Sequence, residues 1–150
     1  REWKQRLIDS YKQSWFSQLY ESDRYIMYRS FKDTLEPEKY FNIIHSNYVR
    51  TMYIRFRLGV TELKCNSLRY SSNVSKICPF CRNCDEDEIH FLFHCPQYDD
   101  LRQKYLFKFY ASLRNGYRLS VLNTDSADVI LALAHFVFYA FQLRRNSRIQ

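Results

Sequence analysis

The sequence predicts a mainly α fold, a compact helical domain with a small Cys- and His-rich element inserted between helices. The 150 residues include only 2 glycines and 3 prolines, too few for the closely spaced turns of a β-sandwich or barrel. Hydrophobic residues make up 46% of the chain and charged residues 26%, as in folded globular proteins. Because this length suits one domain, we expect residues 1–150 to form a single α-rich domain.

Three segments in the N-terminal third carry helix signals. Apolar residues recur at spacings of three and four over residues 2–21, which predicts an amphipathic helix. Residues 24–32 fit a short strand and a helical turn equally well. The sequence Glu-Pro-Glu at 36–38 is typical of a helix start, and we expect a short helix from there through Ile44.

Two further helices are predicted in the middle of the chain. Ser46 or Asn47 is suited to cap a helix that runs to about Leu58, and Gly59 is suited to end it. After the Cys/His element, the apolar spacing predicts a helix over residues 97–113.

The last predicted helix begins near Ser126 and contains the apolar stretch 127–143. This stretch is short for a bilayer and contains polar residues, so we expect a buried core helix and no membrane partner. The cations that follow would interact favourably with the C-terminal end of the helix dipole. They are Arg144, Arg145 and Arg148.

The most informative segment is the Cys/His element, which we place at about residues 76–98. Cys78 and Cys81 form a C-x-x-C pair, which can supply two metal ligands from one turn. A second pair, His90 and Cys95, could complete a tetrahedral zinc site, and the acidic run 85–88 would then lie at the N-terminus of a short helix. Four cysteines and two histidines within this short stretch indicate a metal in a reducing, intracellular compartment.

The ligand set is not unique on spacing alone. Cys84 follows Cys81 at a second C-x-x-C spacing, and His94 adjoins Cys95, so either could replace one ligand. Whichever set binds, four protein ligands leave no open position for water, which makes one structural Zn²⁺ the expected cofactor. Zinc hydrolases and deaminases are disfavoured, because H-E-x-x-H and an H-x-E preceding P-C-x-x-C are both absent from the sequence.

The net charge of +7 favours a polyanionic partner such as a nucleic acid. Exposed tyrosines could stack on bases, and cations near the Cys/His element could contact phosphates. Tyr53 and Phe56 share an apolar stripe and are expected in the core. The candidate phosphate contacts are Arg50, Arg55, Arg57, Lys64 and Arg69.

Several motifs together resemble a known family. They include Ile-Arg-Phe-Arg-Leu-Gly at 54–59, Cys-Pro-Phe-Cys at 78–81, Asp-Glu-Ile-His-Phe-Leu at 87–92 and Cys-Pro at 95–96. Over roughly residues 25–106, the chain resembles the region that follows the polymerase domain in the reverse-transcriptase polyproteins of non-LTR (LINE-type) retrotransposons. Upstream matches to the same family are Tyr28 to Lys32 and Glu38 to Phe41.

The resemblance implies a zinc knuckle of the Cys-Cys-His-Cys type, formed by Cys78, Cys81, His90 and Cys95. It also implies a non-catalytic module that positions template RNA or target DNA, in a nuclear or nucleocytoplasmic location, beside other domains of a polyprotein. The family's Y-x-D-D polymerase motif and its nuclease carboxylates are absent from this sequence, so neither activity is expected here.

A different class of function is a protein-interaction or assembly module, retained by a host from a retrotransposon. In this alternative the aromatic helices would dock on another protein or on a second copy, for example through residues 136–141. An exposed apolar patch would favour this alternative.

Overall fold

The structure, a computed structural model, describes residues 2–67, 73, 75–109 and 119–147. It is mainly helical, as predicted, and the described residues contain no β-strand, only an isolated antiparallel bridge between Ile77 and Asp85. Short 3₁₀ turns occupy Asp23–Tyr25, Pro96–Tyr98, Phe107–Phe109 and Leu119–Asn123. The α-helices are α1 (Glu2–Glu21), α2 (Ile26–Arg29), α3 (Tyr40–Ile43), α4 (Asn47–Arg57), α5 (Lys64–Ser67), α6 (Asp99–Tyr105) and α7 (Ala127–Ser147).

Helix α4 begins and ends where the sequence predicts. The Ser46 hydroxyl accepts a hydrogen bond from the Val49 backbone N–H at 3.5 Å, which satisfies one of the unpaired donors in the first turn. Gly59 has a φ of 66°, a left-handed conformation that costs glycine little and ends the helix.

The core lies where α4 packs along α7, with α3 and α6 also against α7. Tyr53 and Phe56 of α4 are fully buried, as predicted from the apolar stripe. The Phe91 ring centroid lies 5.5 Å from that of Phe56 and 4.7 Å from that of Phe141. Phe136 and Phe141 are also fully buried, so only part of the expected assembly surface at 136–141 is exposed, with Tyr139 at 40%.

Helix α7 is long and apolar enough to cross a membrane by length and composition, but 44% of its most apolar window is buried within the protein. It begins at Ala127, directly after the predicted cap Ser126, whose carbonyl accepts from the Ile130 N–H at 2.9 Å. Its packing against three other helices makes it a core helix.

Two predicted helices are shorter than expected. The backbone at 36–38 is not helical, because Glu38 turns inward to bind buried cations instead of capping α3. The helix predicted over 97–113 ends at Tyr105, and the 3₁₀ turn after it allows Leu106 and Phe109, three residues apart, to face the core together. Its predicted end at 115–116 lies outside the described residues, while residues 24–32, left open above, are partly helical.

Helix α1 forms as predicted, but most of its apolar side chains do not pack on the core. Leu19 is its only buried residue, and its main contacts are with α2 and the 3₁₀ turn Asp23–Tyr25. Trp3, Leu7 and Tyr11 are each 65% exposed or more.

Candidate metal centre

A tight turn presents the first two cysteines. The Ile77–Asp85 bridge closes the turn, and the Cys78 N–H donates to the Cys84 carbonyl at 2.9 Å. Within it, Arg82 has a φ of 56° and its N–H donates to the Cys78 carbonyl at 3.0 Å. A C-x-x-C pair in such a turn can direct both sulfurs to one point.

A single π-helical turn, His90–His94, presents the other two ligands. The Cys95 N–H donates to the His90 carbonyl at 2.8 Å, and this bond across five residues brings His90 and Cys95 together. The Asp87 carboxylate accepts from the His90 N–H at 2.7 Å. The short helix expected here therefore exists, with Asp87 at its N-terminus as predicted for the acidic run.

The four predicted ligands come together in space. One ligand atom from each of Cys78, Cys81, His90 and Cys95 lies within 4.8 Å of all the others. The Cys78 and Cys95 sulfurs are 3.8 Å apart, and Cys81 Sγ lies 3.5 Å from His90 Nε2. Tetrahedral zinc with bonds of about 2.3 Å to sulfur and 2.0 to 2.1 Å to nitrogen would have edges of about 3.8 and 3.6 Å. The cluster could therefore hold a metal ion of this size.

The two alternative ligands occupy other places. Cys84 Sγ lies 3.1 Å from Nδ1 of His90, the ring nitrogen that does not face Cys81. His94 is exposed and is not among the four clustered residues. Since a metal-binding histidine is usually oriented through its second nitrogen, Cys84 is placed to support His90 rather than to replace a ligand.

The protonation of these groups follows their burial. Burial, followed by the charge of nearby Cys78, raises the pKa of the Cys95 thiol to about 12. Burial lowers the pKa of His90, which favours the neutral imidazole that metals bind. A bound divalent cation would displace the thiol protons, because thiolates are the ligating form.

A buried ion pair joins the Cys/His element to α7. Arg144 Nη2 donates to Glu86 Oε2 at 2.9 Å, and Nη1 contacts the other carboxylate oxygen. The Arg144 guanidinium also lies over the Phe80 ring, 5.2 Å from its centroid. Both charged side chains are at most 1% exposed. The expectation that Glu86 serves a helix N-terminus is therefore wrong. Arg144 lies in the last turn of α7 as predicted, but it is buried against Glu86.

The predicted phosphate contacts are dispersed. Arg55 is exposed and donates through Nε to the Val60 carbonyl at 3.3 Å. Arg50 is half-buried and donates to the Ile44 carbonyl at 2.8 Å, so it stabilises the turn before α4. Lys64 is half-buried in α5, and Arg69 lies outside the described residues.

Among the predicted phosphate contacts, Arg57 is the one that the structure contradicts most clearly. It is 2% exposed, binds Glu38 through Nη2 at 3.0 Å and contacts the Leu122 carbonyl through Nη1. Its guanidinium carbon lies 4.9 Å from the Phe31 ring centroid and 5.1 Å from that of Tyr40. Arg57 is therefore part of the core and not a surface cation, because α4 turns it about 160° away from Arg55.

Sequence reasoning missed a groove between α4 and α7, with a volume of about 540 Å³. The spacing of residues 47, 51 and 55 on one face of α4 is a signal for one wall, but nothing local predicts that Arg145 joins it. The lining residues are Asn47, Tyr48, Thr51, Met52, Arg55, Phe138 and Arg145.

The chain matches no protein-family model, no curated protein and no solved structure. The resemblance to retrotransposon reverse transcriptases therefore stays a prediction carried by motifs.

Proposed function

We propose that the chain is a non-catalytic nucleic-acid-binding module that contains one structural zinc ion. The proposal follows the resemblance to the post-polymerase region of non-LTR reverse transcriptases and places the module in the cell interior, beside RNA or DNA and other domains of a polyprotein. Zinc is the proposed metal because three sulfurs and one nitrogen at tetrahedral spacing suit it.

The observation that supports nucleic-acid binding is the groove between α4 and α7. Two arginines, Arg55 and Arg145, line it, and none of the lining residues that the structure describes is acidic. Arg145 pairs with Glu62 at 3.0 Å, but both side chains are partly exposed, and such a pair is weak enough to yield to a phosphate. The groove thus offers two cations to a polyanion.

Tyr48 adds an aromatic surface to these cations. It is 80% exposed at the start of α4, and its side chain borders the groove. A base can stack on such a ring whatever its sequence, and each stacked base contributes about 1 to 3 kcal/mol. Cations beside an exposed ring favour a single strand with splayed bases, bound through sequence-tolerant phosphate contacts.

The proposed zinc ion has a structural role and not a catalytic one. Its four protein ligands would complete the coordination shell, so no position remains for an activated water. The ion would fix the turn at 78–81 against the π-helical turn at 90–94, and Glu86 then attaches this element to α7.

The test is fluorescence anisotropy with labelled single-stranded RNA and DNA at about 50 and about 200 mM salt. We expect affinity to fall steeply with salt, and Arg55→Ala to weaken binding more than Arg6→Ala, a control that removes one exposed cation from α1. If Arg55→Ala and Arg6→Ala weaken nucleic-acid affinity equally, the groove is not the binding site. Salt-independent affinity, or no binding, would overturn nucleic-acid binding itself.

The exposed face of α1 favours a second candidate function, an assembly module. Trp3, Leu7 and Tyr11 recur every four residues and are all exposed. An antiparallel α1 pair from two copies would bury this stripe, with Leu7 of one copy against Leu7 of the other and Trp3 against Tyr11. Analytical ultracentrifugation should then show a dimer that Leu7→Glu dissociates, whereas a wild-type monomer at all concentrations would exclude this pairing.

A further inference from the structure

A separate cavity lies between the segment that leads into α3 and the C-terminal half of α4. It has a volume of about 340 Å³, which falls in the range of about 300 to 1,000 Å³ that is usual for small-molecule sites. It shares no residue with the groove or with the Cys/His cluster. Its polar walls come from residues 32–40, from Tyr53 and Arg57, and from residues 122–125.

The interior of this cavity holds an excess of positive charge. Lys32 Nζ lies 3.2 Å from one Glu38 carboxylate oxygen, and Arg57 Nη2 lies 3.0 Å from the other. The Tyr28 hydroxyl also donates to Glu38 at 2.8 Å. Two buried cations therefore share one carboxylate, which leaves one positive charge without a buried counter-ion in the part of the chain that the structure describes.

The charged residues at the mouth do not supply that counter-ion. Lys39 and Asp125 pair with each other at 2.7 Å, and both are well exposed. Glu36 is exposed as well, and its backbone carbonyl accepts from Lys32 at 2.9 Å. Solvent and salt screen these exposed charges, but they screen the buried positive charge of the cavity much less. The exposed acids therefore do not neutralise it.

Two buried polar groups at the cavity have no well-aligned hydrogen bond. They are Arg57 Nε and the Tyr53 hydroxyl, which lack one among the described residues, although the two side chains interact with each other. Tyr53 is fully buried and Arg57 is 2% exposed. Buried polar groups are almost always hydrogen-bonded, so each such exception requires an explanation. The N–H at Nε can only donate, whereas the Tyr53 hydroxyl can donate and accept, so an acceptor in the cavity would suit both groups.

We propose that this cavity binds a phosphate monoester. Its oxygens would accept from Arg57 Nε and from the Tyr53 hydroxyl, and its charge would balance the excess of Lys32 and Arg57 over Glu38. A phosphate monoester carries more negative charge and one more terminal oxygen than a carboxylate, which suits the three donors Arg57, Tyr53 and Lys32. Since a water-sized group occupies about 30 Å³, the cavity has room for part of the molecule that carries the phosphate.

Two sources share this chemistry, a free phosphorylated small molecule and the terminal phosphate of a nucleic-acid strand. The experiment is isothermal titration of the full, zinc-loaded chain with inorganic phosphate, with a nucleoside monophosphate, and with an oligonucleotide with and without a 5′-phosphate. Binding of the monophosphate as tight as that of the phosphorylated strand would identify the small molecule. A preference for the phosphorylated strand over both would identify the strand end.

The diagnostic variant is Tyr53→Phe, and its matched control is Tyr98→Phe. Tyr98 also has a buried hydroxyl with no well-aligned hydrogen bond among the described residues, but it does not border this cavity. We expect Tyr53→Phe to weaken phosphate binding about tenfold or more and Tyr98→Phe to leave it unchanged. Phosphate should likewise raise the melting temperature of the wild type and of Tyr98→Phe, but hardly that of Tyr53→Phe.

The proposal is overturned if no probe binds saturably, or if Tyr53→Phe binds phosphate like the wild type while its melting curve shows that it is folded. Arg55→Ala separates this site from the groove, since it should weaken binding of an unphosphorylated strand and leave binding of inorganic phosphate unchanged. Tyr53→Phe should do the reverse. Either proposal can therefore fail without the other.

Discussion

Glu86 and Arg144 form a fully buried ion pair across 58 positions of the chain. Cys78 Sγ lies 3.9 Å from Glu86 Oε1, so the pair contacts the Cys/His cluster through Glu86 and belongs to α7 through Arg144. A buried charge is costly unless it is paired and hydrogen-bonded. The pair therefore makes docking of α7 and formation of the Cys/His element depend on each other.

Breaking this pair should be strongly destabilising. Arg144→Met leaves the Glu86 carboxylate buried without its cation, and we expect a loss of about 3 to 5 kcal/mol in the free energy of unfolding. Arg145→Met is the matched control, because its pair with Glu62 is partly exposed and should cost at most about 1 kcal/mol. Urea denaturation at constant zinc concentration measures the free energy of unfolding of both variants. Similar losses in Arg144→Met and Arg145→Met would contradict the assigned role of the buried pair.

Removal of two clustered cysteines should abolish the metal site. With Cys78→Ser and Cys81→Ser together, we expect zinc content by mass spectrometry to fall from one ion per chain to none. The cooperative melt should disappear as well, because structural zinc contributes about 10 to 16 kcal/mol of apparent binding free energy. Cys65→Ser is the control, since Cys65 lies outside the cluster. A zinc-free wild type, or an unchanged melting curve of the double variant, would refute a structural metal.

Cys84 should affect the strength of metal binding but not its stoichiometry. Its sulfur lies 3.1 Å from His90 Nδ1, and loss of such a supporting contact typically weakens metal affinity about 10- to 100-fold. Competition with a chelator should show this loss for Cys84→Ala and little change for the exposed His94→Ala. Loss of the bound ion in Cys84→Ala would instead make Cys84 a ligand.

High pH should lower the free energy of unfolding through Tyr40, which borders the cavity around Arg57. Burial, followed by the charge of Glu38, raises the pKa of Tyr40 from 10.0 to about 12. Because the unfolded chain then releases this proton first, the contribution of Tyr40 to stability is complete below pH 10 and is lost as the pH rises to about 12. Urea denaturation between pH 10 and about 12 should show a smaller fall in the free energy of unfolding for Tyr40→Phe than for the wild type. Equal falls would show that Tyr40 does not contribute to the pH dependence.

The predictions that held depend on residues close together in the chain. The bounds of α4 follow from a cap at Ser46 and a left-handed Gly59, both of which act within one helical turn. The spacing of Cys78, Cys81, His90 and Cys95 left two alternatives, and the resemblance favoured the set that now clusters. Geometry explains the choice, because the π-helical turn brings residues five positions apart together.

The predictions that failed concern charged residues whose partners are distant in sequence. From the sequence alone, Arg57 and Arg144 are cations on helices, and most such cations are solvated. Tertiary packing buries them against Glu38 and Glu86, and it also assembles the α4–α7 groove from residues about ninety positions apart. The sequence by itself therefore determined the helical class and confined the candidate metal ligands to one short stretch, and the family resemblance favoured the four that cluster. Only the tertiary structure decided which charges are buried, because the cost of burying a charge depends on a partner that the local sequence does not contain.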